Sequence, residues 1–176
     1  MEVLLIRHTS VNVAPGTCYG QSDVPLAATF INEAEEAKQN LLLHGAIDKA
    51  YTSPLTRARQ LAVYCGYADA EADNRLMEMN MGDWEMQRYD DISDPYIKEW
   101  YKDYLHLPTP HGESFMQQQA RVNSFLDDLS AMPFRRVAIF AHGGVLACAA
   151  VYGGLATLDT VWLHPTPYGG IIKITV

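Results

Sequence analysis

Two short segments of the chain are continuously apolar, and each ends in a histidine. Residues 3–6 are Val-Leu-Leu-Ile and precede Arg7 and His8, while residues 137–141 are Val-Ala-Ile-Phe-Ala and precede His142. An unbroken apolar run of this length is typical of a strand that is buried on both faces, as in a parallel sheet. Ligands of open α/β sheets bind outside the carboxyl ends of the strands. The pattern therefore predicts that both histidines reach a ligand-binding edge.

The segments between these two runs have the patterns of helices and of further strands. Composition or helical spacing of apolar residues predicts five helices, the third of them as one helix or a pair of short ones, at residues 27–44, 55–65, 90–105, 113–132 and 145–152. Short apolar stretches predict strands at 48–52, 159–163 and 170–176. Ser53 and Pro54 have the residue types preferred at the N-cap and first position of the second helix, and Gly45 suits the end of the first.

The alternation of strands and helices predicts an α/β fold. We expect three layers, α/β/α, with a mostly parallel central sheet that helices cover on both faces. Right-handed crossovers would bring His8 and His142 to the same edge of this sheet. The chain contains no repeat, low-complexity tract or Ser/Gly-rich linker, so a single domain over residues 1–176 is expected. Residues 9–26 form a predicted loop that is long for a compact domain, which favours a functional role.

The acidic composition limits the partners of this protein. The chain has 13 Lys and Arg residues against 21 Asp and Glu residues, and its formal net charge is −8. This charge argues against nucleic acid or an anionic membrane as a main partner, because both bind basic surfaces. A small phosphorylated substrate is compatible with it, because a local cluster of arginines can hold such a ligand. The sequence leaves the oligomeric state open.

Cysteine and histidine spacing predicts neither disulfides nor a metal site. Cys18, Cys65 and Cys148 form no CxxC pattern, so a disulfide framework and a zinc site are both unsupported. Reduced thiols and a cytoplasmic location are the favoured interpretation. No two histidines have the i, i+4 spacing of a zinc site on a helix, so no metal and no cofactor is predicted. The apolar run at the N-terminus is too short for a signal peptide or a membrane-spanning segment.

Basic and glycine residues that suit a phosphate ion fall at the predicted ligand-binding edge. Arg7 precedes the first strand-end histidine, and Arg57 lies in the first turn of the second helix, where free backbone N–H groups also favour an anion. Gly143 and Gly144 follow His142 and allow backbone amides to approach a ligand closely. Arginine binds phosphate oxygens in pairs through its planar fork. These residues together predict a phosphate-binding site.

Four motifs are spaced along nearly the whole chain. They are Leu5-Ile6-Arg7-His8-Thr9, Thr52-Ser53-Pro54-Leu55-Thr56-Arg57-Ala58, Glu78 ahead of Gly82-Asp83-Trp84-Glu85, and Ala141-His142-Gly143-Gly144. In this order they resemble the histidine phosphatase superfamily, which has the phosphoglycerate-mutase-like fold. Within that superfamily, residues 15–26 resemble the α-ribazole phosphatases of cobalamin biosynthesis. Thr9 and Met86 are departures, because glycine is common in the family at both positions.

The resemblance implies a role for each residue of the predicted site. His8 would be the nucleophile and would form a phosphohistidine, with no metal needed. This role requires a neutral imidazole whose other ring nitrogen donates to a fixed acceptor such as a backbone carbonyl. Arg7, Arg57 and His142 would neutralise the phosphoryl oxygens in the transition state. Glu78 would be the general acid for the leaving group and later the base for water.

The substrate side of the site is predicted from the loop that follows the first strand. The resemblance implies a metal-independent phosphomonoesterase that acts on α-ribazole 5′-phosphate, with Tyr19, Gly20 and Gln21 as substrate contacts. The aromatic residues Trp84, Trp100, Tyr101 and Tyr104 are interpreted as core residues, although a nucleoside-like substrate would need an aromatic face to stack on.

Other interpretations of the same motifs are open at this point. The protein could be a phosphoglycerate mutase or a broad-specificity sugar or nucleotide phosphatase. It could also be a non-catalytic module that binds a phosphorylated ligand in the same pocket. Glu85 is a rival to Glu78 for the role of acid, because it lies in the same segment and that segment has no clear periodicity.

Overall fold

A five-stranded sheet runs through the centre of the protein. The computed structural model describes residues 1–176 and contains seven strands: β1 (Glu2–Arg7), β2 (Thr17–Cys18), β3 (Lys49–Thr52), β4 (Glu71–Ala72), β5 (Gln87–Arg88), β6 (Arg136–Ala141) and β7 (Ile171–Thr175). The order in the central sheet is β4-β3-β6-β1-β7, in which only the edge strand β7 is antiparallel to its neighbour. Strands β2 and β5 form a separate antiparallel ribbon. The mostly parallel central sheet predicted from the sequence is confirmed.

Five α-helices accompany the strands, together with 3₁₀ turns at Asn74–Leu76, Gly82–Trp84 and Tyr89–Asp91. The helices are α1 (Phe30–Leu42), α2 (Thr56–Tyr64), α3 (Ile97–Lys102), α4 (Phe115–Ser130) and α5 (Gly143–Tyr152). The predicted helix at 90–105 is therefore a 3₁₀ turn followed by α3. A capping box between Ser114 and Gln117 starts α4, in which each side chain accepts from the other residue's backbone N–H. None of the helices is long and apolar enough to cross a membrane.

Alternating residues of β1 build the two apolar layers that flank the sheet. Leu4 and Ile6 pack into a cluster with buried residues of α1 and α2, whereas Val3 and Leu5 pack into a larger cluster with residues of α4 and α5. Because side chains point to opposite faces along a strand, a continuous apolar run can serve both layers. The three-layer α/β/α arrangement follows directly from the apolar pattern of β1 and β6.

Two local predictions are wrong. Residues 159–163 form turns instead of a strand, because the edge of β1 is already paired with β7; Val161 instead packs into the cluster of α4 and α5. Ser53 is not the N-cap of α2, which begins at Thr56 and has Leu55 at its N-cap. The Ser53 hydroxyl contacts a histidine instead, as described below.

The pairing of β1 with β6 determines where the strand-end histidines lie. The two strands are parallel, and Arg7 pairs with Ala141 as the last residues of the register. The backbone N–H of His8 donates to the carbonyl of Ala141 at 3.0 Å, which continues the ladder one residue further. His8 and His142 therefore emerge side by side at the carboxyl edge of the sheet, as the sequence predicts.

Candidate active site

The rings of His8 and His142 form the buried centre of the site, and their centroids are 5.2 Å apart. Nδ1 of His8 lies 2.7 Å from the backbone carbonyl of Thr9, so this nitrogen carries the proton and Nε2 keeps its lone pair. Burial lowers the pKa of His8 to about 3, and the nearby charges of Arg57 and Arg7 act in the same direction. His8 is therefore neutral at neutral pH, which is the form that a nucleophilic imidazole needs.

A serine sets the tautomer of His142. Nε2 of His142 lies 2.7 Å from the hydroxyl oxygen of Ser53, and that oxygen also accepts from the N–H of Leu55 at 3.3 Å. The Ser53 hydroxyl is therefore free to donate to Nε2, which leaves the proton of the neutral ring on Nδ1. This Nδ1 is buried and has no partner in the protein. Burial, followed by the charge of Arg57, lowers the pKa of His142 well below its ordinary value.

Arg57 is fully buried and holds the loop that carries the predicted substrate contacts. Its Nη1 donates to the carbonyl of Ser22 at 3.0 Å and its Nη2 to the carbonyl of Gly20 at 2.6 Å. The ring of Tyr19 lies 5.0 Å from the guanidinium carbon, which is within the range of a cation–π contact. The Nε of Arg57 is buried without a partner. The guanidinium therefore keeps donors for an anion while it orders this loop.

Arg7 is held at the end of β1 by residues that lie just before β7. Its Nη1 donates to the carbonyl of Thr166 at 2.6 Å, and its guanidinium carbon lies 4.2 Å from the centre of the Tyr168 ring. The same tyrosine ring is 5.5 Å from His8. Gly143 is packed against this arginine, because a Cβ on it would lie 3.3 Å from the guanidinium carbon. The backbone of Gly143 is thus close to one wall of the predicted phosphate site.

Three N–H donors orient the carboxylate of Glu78. Its Oε1 accepts from the backbone of Met79 at 2.8 Å and from Nε2 of Gln118 at 3.0 Å. Its Oε2 accepts from the backbone of Gly144 at 3.2 Å, in the first turn of α5. These contacts place the carboxylate at the start of α5, which directly follows His142. An acid for the leaving group would be needed at this position.

The rival carboxylate, Glu85, has a structural environment. It accepts hydrogen bonds from the backbone of Gln21 at 2.9 Å and of Met81 at 3.2 Å, and from the hydroxyl of Ser22. Glu85 does not line the cleft next to the arginines. Its contacts join the loop after β1 to the segment that carries Glu78, so it supports the site from outside.

A cleft of about 570 Å³ opens beside these residues. Its polar end is formed by Arg7, Glu78, Gln118, Gly143 and Gly144. Its other walls are mainly aromatic, and these aromatic residues are Tyr19, Tyr89, Trp100, Tyr101, Tyr104, Phe115 and Trp162. This volume is typical of a site for a small ligand.

The structure separates the aromatic residues that the sequence grouped together. Trp84 is buried in a small cluster with Cys18 and Met81 and is a core residue, as predicted. Trp100 belongs to the same cluster but also lines the cleft, and Tyr101 and Tyr104 line it too. The interpretation of these three as core alone is therefore incomplete.

The predicted substrate contacts divide in the same way. Tyr19 and Gly20 line the cleft, but Gln21 does not. The side-chain amide of Gln21 donates to the backbone carbonyl of Glu78 at 3.0 Å, so it braces the segment that carries the carboxylate. The role of Gln21 as a substrate contact stays a prediction.

The helix N-termini at this edge are partly occupied by carboxylates of the protein itself. Asp23 accepts from the backbone N–H of Thr56 at 3.0 Å and from its hydroxyl at 2.7 Å. Glu78 occupies the corresponding place at Gly144 in α5. The sequence predicted that these N–H groups would face an anion, and the anions they bind are side chains. The N–H of Gly144 therefore binds the carboxylate and not a phosphate.

Sequence reasoning missed several residues of the site. Ser53 could have been found, because it directly follows β3 and β3 pairs with β6, which places it at the edge that carries His142. Gln118 and Tyr168 gave no signal, since one lies inside a helix and the other in a loop between prolines and glycines. No group of three or more His, Cys, Asp or Glu side chains is arranged to hold a metal ion.

The fold and the paired histidines flanked by arginines define a phosphoryl-group enzyme, and comparison with known families gives the same class. The family model described as histidine phosphatase superfamily (branch 1) matches residues 3–176, and the chain belongs to this superfamily. The protein is therefore an enzyme of the phosphatase class, and it acts on small phosphorylated substrates. The resemblance noted from the four motifs is confirmed.

Individual relatives are named for different phosphate esters. The adenosylcobalamin/α-ribazole phosphatase of Escherichia coli (strain K12) is 31% identical over 157 residues, which cover 84% of this chain and 76% of the relative. The crystal structure of the α-ribazole phosphatase from Shigella flexneri has a TM-score of 0.88 at 26% identity and covers 100% of this chain and 91% of that chain. The phosphoglycerate mutase from Thermus thermophilus has a TM-score of 0.79 at 26% identity, with 100% and 97% covered.

Proposed function

We propose that this protein is a metal-independent phosphomonoesterase that hydrolyses α-ribazole 5′-phosphate through a phosphohistidine on His8, in the assembly of the cobalamin nucleotide loop. The single observation that carries the proposal is the buried pair of His8 and His142 beside a cleft that Arg7 and Glu78 line on the phosphate side and aromatic side chains line on the alcohol side. Relatives named as α-ribazole phosphatases support the choice of substrate.

The first chemical step would transfer the phosphoryl group to the enzyme. The Nε2 lone pair of His8 attacks phosphorus, the bond from phosphorus to the ester oxygen breaks, and Glu78 gives its proton to that oxygen. The remaining donors of Arg7 and Arg57 and the Nδ1–H of His142 stabilise the charge on the phosphoryl oxygens. In such transition states the protein contributes mainly positioning and electrostatics.

The second step would return the enzyme to its starting state. A water oxygen attacks phosphorus, the bond between phosphorus and Nε2 breaks, and Glu78 takes a proton from the water. Phosphate leaves, His8 is again a neutral imidazole, and Glu78 is again protonated. The hydrogen bond from Nδ1 of His8 to the carbonyl of Thr9 holds the ring in one orientation throughout.

The walls of the cleft favour a flat aromatic leaving group over a short anionic one. Stacking of a base on an aromatic side chain contributes about 1–3 kcal/mol, and seven aromatic side chains line this cleft. A phosphoglycerate would bring a carboxylate to these uncharged walls, where no further arginine or lysine lines the cleft apart from Arg7. The benzimidazole-type base of α-ribazole fits these walls better.

A panel of phosphomonoesters tests the choice of substrate. We expect kcat/KM for α-ribazole 5′-phosphate to exceed the values for 3-phosphoglycerate and glucose 6-phosphate by about 10- to 100-fold, the range that one stacked base provides. EDTA should leave the rate unchanged. Equal rates on all esters would indicate a broad-specificity phosphatase, and isomerisation of phosphoglycerate would indicate a mutase.

A trapping experiment tests the chemistry separately from the substrate. Enzyme mixed with a ³²P-labelled phosphomonoester and quenched in alkali should retain alkali-stable, acid-labile label, and the His8→Ala variant should retain none. Label that persists in this variant would exclude His8 as the nucleophile. Binding of phosphate esters without any turnover would point instead to a non-catalytic binding module.

A further inference from the structure

Gln118 is a fully buried polar residue that contacts the candidate acid. It lies in the first turns of α4, lines the cleft, and donates from Nε2 to Oε1 of Glu78 at 3.0 Å. Its own Oε1 is buried and has no partner. Buried amide oxygens nearly always have a hydrogen-bond donor, so this unpartnered acceptor at the wall of the site needs an explanation.

We propose that Gln118 is a positioning residue that serves both protonation states of Glu78 by rotation of its amide. In the present orientation Nε2 donates to Oε1 of Glu78, which is the contact that an ionised carboxylate needs. A rotation of 180° about the terminal bond would present Oε1 instead, which accepts from the protonated carboxyl. The inference rests on the proposed function, in which Glu78 first gives and then takes a proton.

The donors around Glu78 explain why such a residue is needed. Two of the three N–H groups that face the carboxylate belong to the backbone, at Met79 and Gly144, and a backbone N–H can only donate. A protonated carboxyl also needs an acceptor for its own hydrogen until this hydrogen passes to the ester oxygen. Gln118 is the one contacting group of Glu78 that carries both a donor and an acceptor.

The packing at Gly144 leaves room for both orientations of the amide. A Cβ built on Gly144 would lie 2.8 Å from Nε2 and also 2.8 Å from Oε1 of Gln118, and it would overlap Oε1 of Glu78. The amide therefore lies flat against this glycine, with its two ends at equal distance. Because the two ends occupy nearly the same volume, exchange of donor and acceptor requires no other residue to move.

The neighbouring residue Gln119 provides a matched control. It lies on the same helix, is buried, and also has a buried Oε1 without a partner. Its Nε2 donates to the carbonyl of Cys148 at 3.0 Å and to Asn123 at 2.6 Å, and it does not contact Glu78. Gln118→Leu and Gln119→Leu thus remove the same amide from the same helix, but only the first removes a contact to the acid.

The experiment compares the two variants on an alkyl phosphate, which needs an acid for its leaving group, and on p-nitrophenyl phosphate, which does not. We expect Gln118→Leu to lower kcat for the alkyl ester by about 10- to 100-fold, the range of a hydrogen bond to a charged group. The aryl ester should change by less than about 3-fold. The pH range of activity on the alkyl ester should also narrow. Gln119→Leu should keep the wild-type ratio of the two rates and the wild-type pH profile.

Two outcomes would overturn the inference. One is that Gln118→Leu and Gln119→Leu give the same ratio of the two rates. The other is that Gln118→Leu slows both esters equally with an unchanged pH profile, which would be a merely structural effect. Glu78→Gln and the phosphohistidine trap separate a failure of this inference from a failure of the proposed function. If both give the proposed results while Gln118→Leu matches its control, only the proposed role of Gln118 is wrong. If Glu78→Gln also leaves the ratio unchanged, the proposed acid is wrong.

Discussion

The hydroxyl oxygen of Ser53 lies 2.7 Å from Nε2 of His142, at the ends of the neighbouring strands β3 and β6. This contact leaves Nδ1 as the protonated nitrogen of His142, buried close to His8. The pKa of His142 is lowered well below its ordinary value, mainly by burial, so the ring donates to a ligand as a neutral imidazole. Ser53 therefore determines which ring nitrogen of His142 can donate a hydrogen bond to a phosphate.

Ser53→Ala tests this relationship. Loss of one neutral hydrogen bond releases the tautomer of His142, and we expect kcat/KM to fall by about 3- to 10-fold. The buried Nε2 also loses its partner, so the free energy of unfolding should fall by about 1–3 kcal/mol. Steady-state kinetics and urea unfolding measure the two effects. Ser130→Ala removes an exposed hydroxyl from α4 and should change neither quantity; a wild-type rate for Ser53→Ala would contradict the assignment.

The apolar pattern predicted the parts of the fold that depend on burial alone. The strands that end at His8 and His142 are continuous apolar runs, and a run of this kind has few alternatives to a central parallel strand. Residues 159–163 were predicted wrongly by the same rule, because Val161 and Trp162 also make an apolar stretch. These residues do not form a strand because β7 already occupies the edge of β1. The local sequence of residues 159–163 does not reveal this competition between distant segments.

The partners of the site residues were harder to predict than the residues themselves. Arg57 and Glu78 could be placed at the site by motif, but the groups that orient Glu78 include Gln118, which is 40 residues away in the sequence. The composition of α4 does not distinguish Gln118 from Gln117 or Gln119. Only the packing of α4 against α5 distinguishes them. Such contacts depend on how two helices pack together. Sequence periodicity predicts which face of a helix is buried, but not which residue each side chain on that face contacts.

Arg57→Ala should impair catalysis strongly. It removes donors from the phosphoryl oxygens and also releases the carbonyls of Gly20 and Ser22. By comparison with the loss of one oxyanion-hole donor, we expect a fall in kcat/KM on the order of 100-fold, or about 3 kcal/mol. Arg59→Ala is the matched control, since Arg59 is exposed on the same helix and should behave as wild type. Similar kinetics for the two variants would exclude Arg57 from the site.

The buried histidines should make the fold sensitive to acid. The pKa of His8 is about 3 in the folded protein because of burial and then Arg57, whereas an unfolded chain has a histidine pKa near 6.5. Between these values the unfolded state binds a proton that the folded state does not, so the free energy of unfolding falls as the pH is lowered from about 6.5 towards 3. The stabilising effect is complete above pH 6.5, and the pKa of His142 is shifted in the same direction.

Urea unfolding between pH 7 and pH 4.5 measures this dependence. Each buried histidine should contribute a slope of about 1.4 kcal/mol per pH unit well below pH 6.5. His8→Gln should therefore reduce the total slope by about that amount, whatever its effect on stability at pH 7. His164→Gln is the control, because it removes an exposed histidine and leaves both buried rings in place. An unchanged slope in His8→Gln would show that His8 is not buried as a neutral ring.

Met86 has a backbone conformation that suits glycine. Its φ is +64°, and its N–H donates to the carbonyl of Cys18 at 2.6 Å, which anchors the turn before β5. A left-handed conformation costs a non-glycine residue about 1–2 kcal/mol. Glycine avoids this cost but loses more conformational entropy on folding, which offsets part of the gain in stability. Met86→Gly should therefore raise the free energy of unfolding by about 0.5–1 kcal/mol with kinetics unchanged. Met86→Val should lower it, and equal stability of the two variants would contradict the argument.

Gly144→Ala and Gly143→Ala should separate acid catalysis from phosphate binding. A Cβ on Gly144 would overlap Glu78 and crowd Gln118, whereas a Cβ on Gly143 would lie 3.3 Å from the guanidinium carbon of Arg7. Displacement of the acid should slow an alkyl phosphate by about 10²- to 10⁴-fold, the usual contribution of general acid catalysis, and slow p-nitrophenyl phosphate far less. Displacement of Arg7 should instead weaken binding of both esters and raise the inhibition constant of inorganic phosphate. Steady-state kinetics on both esters, with phosphate as the inhibitor, measures the two patterns. If both variants lose the two activities in parallel, the glycines only support the backbone at the start of α5, and the division of labour between Glu78 and Arg7 is wrong.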